Sequence, residues 1–210
     1  MAHIVLLGDS IFDNAVYVAA GASVRDHLRA CMPHDHVSLL AVDGSVLDDT
    51  EAQFVALQAL SETPTQLVVS CGGNDVLGWL GALQTEVESV LAAAELMSQW
   101  QREFQRRYRR MLERALACGF PSMVATIYDA IPGLSRGPRC MLALFNDIIL
   151  REAAQRSVPV LDLRLICTEA GDYASCSPIE PSEQGGRKIA AALAAFCSGQ
   201  SAQAAVYGPA

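Results

Sequence analysis

The feature that most constrains this chain is a regular alternation of short apolar runs with longer amphipathic stretches. The apolar runs, rich in β-branched side chains, are Ile4–Leu7, Val37–Val42, Leu67–Cys71, Met123–Thr126 and Val158–Leu161. They lack the apolar–polar alternation of a half-exposed strand, which indicates buried parallel strands. Helical spacing predicts helices over about 15–31, 48–60, 83–118, 141–155 and 182–197.

This order of elements predicts an α/β fold, because strands that alternate with helices form right-handed crossovers in a parallel sheet. We expect a three-layer α/β/α sandwich around a mainly parallel five-stranded sheet, of the flavodoxin-like kind. One domain is expected over residues 1–198, followed by a flexible tail over 199–210, which is small and polar. Ligands of such a sheet bind at the carboxyl ends of its strands.

The composition is that of a globular protein with a full core and an acidic surface. The 210 residues are 51% hydrophobic and 18% charged, with a net charge of −8. That charge repels nucleic-acid phosphates and anionic lipids, so we expect neither as a partner. A small neutral or cationic molecule is the expected partner, and the sequence leaves the oligomeric state open.

The seven cysteines indicate whether a disulfide framework or a metal is expected, and the amino terminus indicates the compartment. The cysteine count is odd and no CxxC or other metal spacing occurs, so we expect no disulfide framework, metal or cofactor. The first apolar run is too short for a signal peptide, and no window reaches the ~18 to 20 apolar residues of a membrane span. A cytoplasmic protein without a membrane span is therefore predicted.

A candidate nucleophile follows the first strand, in Gly8-Asp9-Ser10-Ile11. Ester hydrolysis needs a nucleophile, a base that takes its proton, and donors aimed at the developing oxyanion. Ser10 has a suitable setting, because glycine lets the chain bend and a helix amino terminus offers free N–H groups. The alternative is that Ser10 merely caps a helix.

Glycines and polar residues also follow the next three strands. Gly44 follows the second strand, Gly72-Gly73-Asn74-Asp75 the third, and Tyr128 the fourth. Because these strand ends meet at one edge of a parallel sheet, the Ser10 N–H, the Gly44 N–H and the Asn74 amide are candidate oxyanion donors. Candidate substrate-binding residues are Asp13, Asn14, Gly73, Asp75 and Tyr128. Helix capping by Asp13 or Asn14, and turn formation at Tyr128, are the alternatives.

Taken together, these segments resemble the SGNH (GDSL-like) hydrolase superfamily over most of the chain. Gly8-Asp9-Ser10 matches its serine block, Gly44 its glycine block, Gly72-Gly73-Asn74-Asp75 its asparagine block, and Pro181–Ala190 the start of its last helix. The resemblance implies that Ser10 is the nucleophile of an esterase or acyl hydrolase. It also implies an oxyanion hole made of Ser10, Gly44 and Asn74.

The chain departs from that family at its fourth block, which is usually Asp-x-x-His-Pro. Ser177 stands at the aspartate position and Glu180 at the histidine position. The four histidines of the chain all lie within the first 36 residues, where the topology keeps them from Ser10. Glu180 is therefore the candidate base, provided that burial or a nearby carboxylate raises its pKa.

Three functions remain open at this stage, and a fourth, a flavodoxin-like nucleotide binder, is disfavoured because neither glycine-rich nucleotide-binding motif occurs. The first is a serine-dependent esterase that acts on a small ester with Glu180 as base. The second, motivated by the missing histidine, is a catalytically weak or inactive ligand-binding protein in which Glu180 is an exposed loop acid. The third is an acyltransferase whose closed pocket excludes water.

Overall fold

The computed structural model describes residues 1–199, with a five-stranded sheet at the centre of the fold. Its strands are β1 (His3–Gly8), β2 (His36–Leu39), β3 (Gln66–Ser70), β4 (Ser122–Ala125) and β5 (Val160–Leu161). They lie in the order β2-β1-β3-β4-β5, and every neighbouring pair is parallel. The predicted α/β fold is thereby confirmed. From residue 200 onward, the predicted tail lies outside the described residues.

Helices cover both faces of this sheet. They are α1 (Val24–Cys31), α2 (Thr50–Leu57), α3 (Gly73–Leu77), α4 (Val90–Ala117), α5 (Arg136–Gln155), α6 (Leu163–Ile166) and α7 (Glu183–Cys197). Apolar side chains of α2, α4 and α5 pack in one core cluster, and those of α1 and α7 pack in the other. The three layers follow, because each sheet face buries its own set of apolar side chains.

The first predicted helix is wrong in its first half and present in its second. Over the predicted range 15–31, the structure has a 3₁₀ turn at Ala15–Tyr17, a loop, and then α1 from Val24 onward. Gly21 interrupts the helix because its φ of +80° lies in the left-handed region. Ser23 and Asp26 then form a capping box that begins α1.

A short hairpin before the last helix was not predicted. Strands β6 (Tyr173–Ala174) and β7 (Ser177–Pro181) pair antiparallel outside the main sheet. Glu180 therefore belongs to a strand, and its residue is only 5% exposed. The alternative in which Glu180 is an exposed loop acid is wrong.

The remaining predicted elements are present with shifted ends, and α3 was missed because it is only five residues long. Helix α4 begins at Val90 instead of about residue 83, and α5 begins at Arg136 instead of about 141. Within residues 1–199, no helix combines the length and apolarity needed to cross a membrane. The compartment stays a prediction.

Candidate active site

The turn that carries Ser10 is possible only because β1 ends in glycine. Gly8 has a φ of +117°, and a Cβ added there would lie 1.7 Å from the carbonyl oxygen of Ser70 on β3. The next residue, Asp9, donates its N–H to that oxygen at 3.0 Å. The chain then turns sharply, with the N–H groups of Phe12 and Asp13 both donating to the Asp9 carbonyl at 3.1 Å.

Asp9 is a buried carboxyl next to the candidate nucleophile. Its Oδ1 accepts the Ile11 N–H at 3.1 Å, and the residue is 3% exposed. Burial raises the pKa of Asp9 from 3.8 to about 8, the Ile11 N–H opposes that rise, and the charge of Glu180 adds to it. At neutral pH this carboxyl is therefore mostly protonated.

Replacement of Asp9 by asparagine is expected to stabilise the fold at pH 8 and to have little effect near pH 4. Between about pH 4 and pH 8 the unfolded chain releases the Asp9 proton and the folded chain keeps it, so stability falls as the pH rises. Asparagine has no proton to lose and keeps the acceptor for Ile11. The difference in unfolding free energy, measured by urea titration, should grow with pH to a few kcal/mol. A difference that is constant from pH 4 to pH 8 contradicts this assignment.

The second strand end supplies the Gly44 turn. Gly44 has a φ of +79°, and Ser45 closes the turn by donating its N–H to the carbonyl oxygen of Val42 at 3.1 Å. Two side chains hold the turn: Asp13 Oδ2 accepts the Asp43 N–H at 3.0 Å, and the Tyr17 hydroxyl donates to Asp43 Oδ2 at 2.8 Å. Within residues 1–199, the Gly44 N–H donates to no protein atom.

The third strand end leads into α3, which carries Asn74. The preceding Gly72 has a φ of +120°, and a Cβ there would lie 3.0 Å from the Phe104 ring. Asn74 Nδ2 donates one hydrogen to the Ser45 carbonyl at 2.9 Å. An amide nitrogen has two hydrogens, so the second one remains for an oxyanion.

Asp75 lies beside Asn74 but faces the protein interior. Its fully buried carboxylate pairs with Arg107 of α4, Oδ1 to Nη1 at 2.7 Å, and its Oδ2 accepts the Leu47 N–H at 2.9 Å. Burial raises the pKa of Asp75, against the Leu47 hydrogen bond and the Arg107 charge. These contacts tie α3 to the segment after the Gly44 turn.

Asn14 joins the serine turn to the strand that carries Glu180. Its residue is fully buried, its Oδ1 accepts the Val24 N–H at 2.9 Å, and its Nδ2 donates to the Pro181 carbonyl at 3.1 Å. The contacts of Asp13, Asn14 and Asp75 are thus all made within the protein. That these three residues bind substrate therefore stays a prediction.

Glu180 shares a cavity with Ser10. Its Oε2 is buried and accepts no hydrogen bond within the described chain, residues 1–199. Burial raises the pKa of Glu180 from 4.5 to about 7, the nearby Ser10 hydroxyl opposes that rise, and the Asp43 charge adds to it. Tyr128 is 2% exposed, and its hydroxyl donates a hydrogen bond at 2.6 Å to the carbonyl of Ile179, the residue before Glu180.

The cavity beside Ser10 has a volume of about 140 Å³ and mostly apolar walls. Its polar members include Asp9, Ser10, Asn74, Tyr128 and Glu180, and Gly73 lines it as well. Its apolar walls come from α3 and the turn after it, the segment after β4, α5 and β7, through Val76, Leu77, Leu80, Ile127, Ile131, Leu134, Pro138, Met141, Leu142 and Ile179. The apolar spacing of residues 141–155 predicted a helix but not this pocket, because an apolar helix face looks the same whether it lines a core or a pocket.

The histidines lie elsewhere, as the topology predicts. His3 and His36 begin β1 and β2, at the amino edge of the sheet, and their rings stack 4.5 Å apart. His36 Nδ1 contacts Glu62 Oε2 at 2.8 Å. No histidine is among the residues that line the cavity in the described part of the chain.

Several solved structures share this fold. A lipolytic protein of the G-D-S-L family from Veillonella parvula has 17% sequence identity, a TM-score of 0.69 and coverage of 93% of this chain and 97% of that one. The acetyl xylan esterase AlAXEase has 14% identity, a TM-score of 0.67 and coverage of 91% and 97%. Esterase EstA from Pseudoalteromonas sp., inhibited by monoethylphosphonate, has 12% identity, a TM-score of 0.66 and coverage of 95% and 98%.

At such low identities these structures establish the fold alone, and the sequence establishes the family. The profile of the GDSL-like Lipase/Acylhydrolase family matches residues 6–188. The chain belongs to that family of hydrolases, which act on small molecules. No curated protein sequence matches it.

Proposed function

We propose that this protein is a serine-dependent esterase that cleaves small acyl esters with Ser10 as nucleophile and Glu180 as base. The observation that carries the proposal is the cavity that Ser10 and Glu180 both line. The Ser10 hydroxyl also opposes the rise that burial produces in the pKa of Glu180. A carboxylate with a pKa of about 7 is a better proton acceptor at neutral pH than an ordinary glutamate.

In the proposed reaction, Glu180 takes the Ser10 hydroxyl proton while Oγ attacks the ester carbonyl carbon. The carbonyl oxygen becomes an oxyanion, held by the Ser10 N–H, the Gly44 N–H and the free Asn74 amide hydrogen. Collapse breaks the bond to the alcohol, which leaves with the proton from Glu180. Water, deprotonated by Glu180, then attacks the acyl group on Ser10. The bond from the acyl carbon to Oγ breaks, Oγ takes the proton back from Glu180, and the acid is released.

The cavity sets the kind of acyl group that we expect. An apolar cavity of about 150 Å³ accommodates one benzene molecule, and this one has about 140 Å³. A short acyl group of about six carbons or fewer therefore fits, and Gly73 and Tyr128 are proposed to contact it. Asp13, Asn14 and Asp75 are proposed to position the turns around it.

The experiment that tests the proposal is covalent labelling of the native protein with a fluorophosphonate. An activated serine attacks the phosphorus and displaces fluoride, so peptide mapping should find one adduct at Ser10. Absence of an adduct, together with no hydrolysis of p-nitrophenyl butyrate, favours the ligand-binding alternative. An adduct with faster product formation when alcohols are added favours acyl transfer.

A further inference from the structure

One buried side chain outside the cavity contacts the last residue of β1 at two points. Gln53, on α2, is 4% exposed. Its Oε1 accepts the Gly8 N–H at 2.7 Å, and its Nε2 donates to the Gly8 carbonyl at 2.7 Å. These two hydrogen bonds fix the position and the orientation of the Gly8 backbone, which leads into Asp9 and Ser10.

The sheet topology explains why this contact is needed. Strand β2 pairs with β1 only as far as Leu6 with Leu39, so β1 extends beyond its neighbour. The Gly8 N–H on that side therefore has no strand partner, and its carbonyl accepts from the Val42 N–H at 3.1 Å. The Gln53 amide oxygen supplies the acceptor that a longer β2 would supply, and its nitrogen gives the Gly8 carbonyl a second donor.

The same amide reaches the oxyanion side of the site. Gln53 Nε2 also lies 3.3 Å from Ser45 Oγ, in the residue after Gly44. The Ser45 carbonyl in turn accepts the Asn74 amide at 2.9 Å. A continuous chain of hydrogen bonds thus runs from Gly8 through Gln53 and Ser45 to Asn74, and it joins the nucleophile turn to both other donors.

We propose that Gln53 is a positioning residue that sets the distance between the Ser10 hydroxyl and the oxyanion donors. It acts through Gly8 and Ser45 and does not touch the substrate. The inference rests on the proposed esterase function, because the geometry that Gln53 maintains matters for the rate only if Ser10 is a nucleophile. A misplacement of about 1 Å in a catalytic group costs on the order of 10² in rate.

The test compares Gln53→Met with a matched core variant. Methionine has a similar shape and length but cannot make the three hydrogen bonds, so kcat for p-nitrophenyl butyrate, normalised to fluorophosphonate-titrated sites, should fall about 10²-fold. KM should change little, because Gln53 does not line the cavity. Phe54→Leu, at the neighbouring buried position of α2, should lower the melting temperature at least as much and keep kcat within about threefold.

A second variant isolates the link between the two turns. Ser45→Ala leaves the contacts between Gln53 and Gly8 in place and removes only the 3.3 Å contact to Ser45. Its kcat should fall less than that of Gln53→Met, by about threefold to tenfold. The proposal is overturned if Gln53→Met keeps kcat within threefold of the native protein, or if Phe54→Leu loses as much.

A readout without catalysis separates this inference from the proposed function. The side-chain amide resonances of Asn74 should shift in Gln53→Met, although the two side chains do not touch, and should stay in place in Phe54→Leu. If the native protein neither hydrolyses the ester nor takes the label, the esterase proposal falls. The positioning role of Gln53 is then tested by the Asn74 resonances alone. A shift in Gln53→Met supports it, and unchanged resonances overturn it.

Discussion

Replacement of Ser10 by alanine is expected to reduce kcat/KM for p-nitrophenyl butyrate by at least about 10³-fold, because removal of a catalytic nucleophile leaves only binding and oxyanion stabilisation. The fold should survive, since backbone bonds to the Asp9 carbonyl and the bond from the Ile11 N–H to Asp9 Oδ1 hold the turn without the Ser10 hydroxyl. Steady-state kinetics measure the loss, and circular dichroism checks the fold.

A surface serine provides the control for Ser10→Ala. Ser135 precedes α5, is exposed, and makes no capping hydrogen bond through its side chain. Ser135→Ala should leave kcat/KM within about twofold. Retention of more than a tenth of the native activity in Ser10→Ala would show that another group attacks the ester.

Replacement of Glu180 by glutamine is expected to lower kcat by on the order of 10² to 10⁴, the usual contribution of a general base. Glutamine fills the same space in the cavity but accepts no proton from Ser10. In the native protein the rate should rise with pH and reach half its maximum near pH 7, because Glu180 must be ionised and its pKa is raised to about 7. The variant should lose that dependence.

Glu183 serves as the matched control for this variant. It lies three residues further on, at the start of α7, and is exposed. Glu183→Gln should keep both the rate and the pH profile of the native protein. An unchanged rate in Glu180→Gln would remove the base assignment and leave the Ser10 assignment standing, since labelling of Ser10 tests the nucleophile independently.

The proposed role of Glu180 as base has physical support in the burial of its side chain. The family pattern places an orienting aspartate three residues before the histidine, and here that position is Ser177. A carboxylate in a cavity with a raised pKa does not need such a partner to be ionised above pH 7, because its own burial sets its affinity for the proton. Glu180 and Asp9 share the cavity, and the charge of Glu180 adds to the rise in the pKa of Asp9.

The parts of the fold that could be predicted are those indicated by local sequence patterns, namely apolar runs and helical spacing. The five apolar runs become the five strands, and the helical spacing of 83–118, 141–155 and 182–197 becomes α4, α5 and α7 with shifted ends. The first helix was overextended because Gly21 was read as part of a helical pattern. The β6–β7 hairpin was missed because strands of two and five residues carry too little pattern to be recognised.

The candidate site was predictable where it follows strand ends and unpredictable where it depends on distant contacts. Ser10 and Asn74 meet at one cavity because their strands, β1 and β3, are neighbours in a parallel sheet. Gln53 lies in a predicted helix with no motif around it, and only its burial and its contacts with Gly8 reveal it. Asn14 was predicted to bind substrate or to cap a helix, and its contact with Pro181 has no signal in the sequence.

By itself, the sequence determined the order of strands and helices, the edge of the sheet where the chemistry-bearing residues collect, and the family. It could do so because apolar periodicity, glycine turns and crossover handedness are local or topological properties. The burial of Glu180 and Asp9, and the hydrogen bonds of Gln53 and Asn14 to residues 45 and 167 positions away, were decided only by the tertiary structure. Such effects arise where segments distant in sequence pack together and exclude water, so no segment carries them alone.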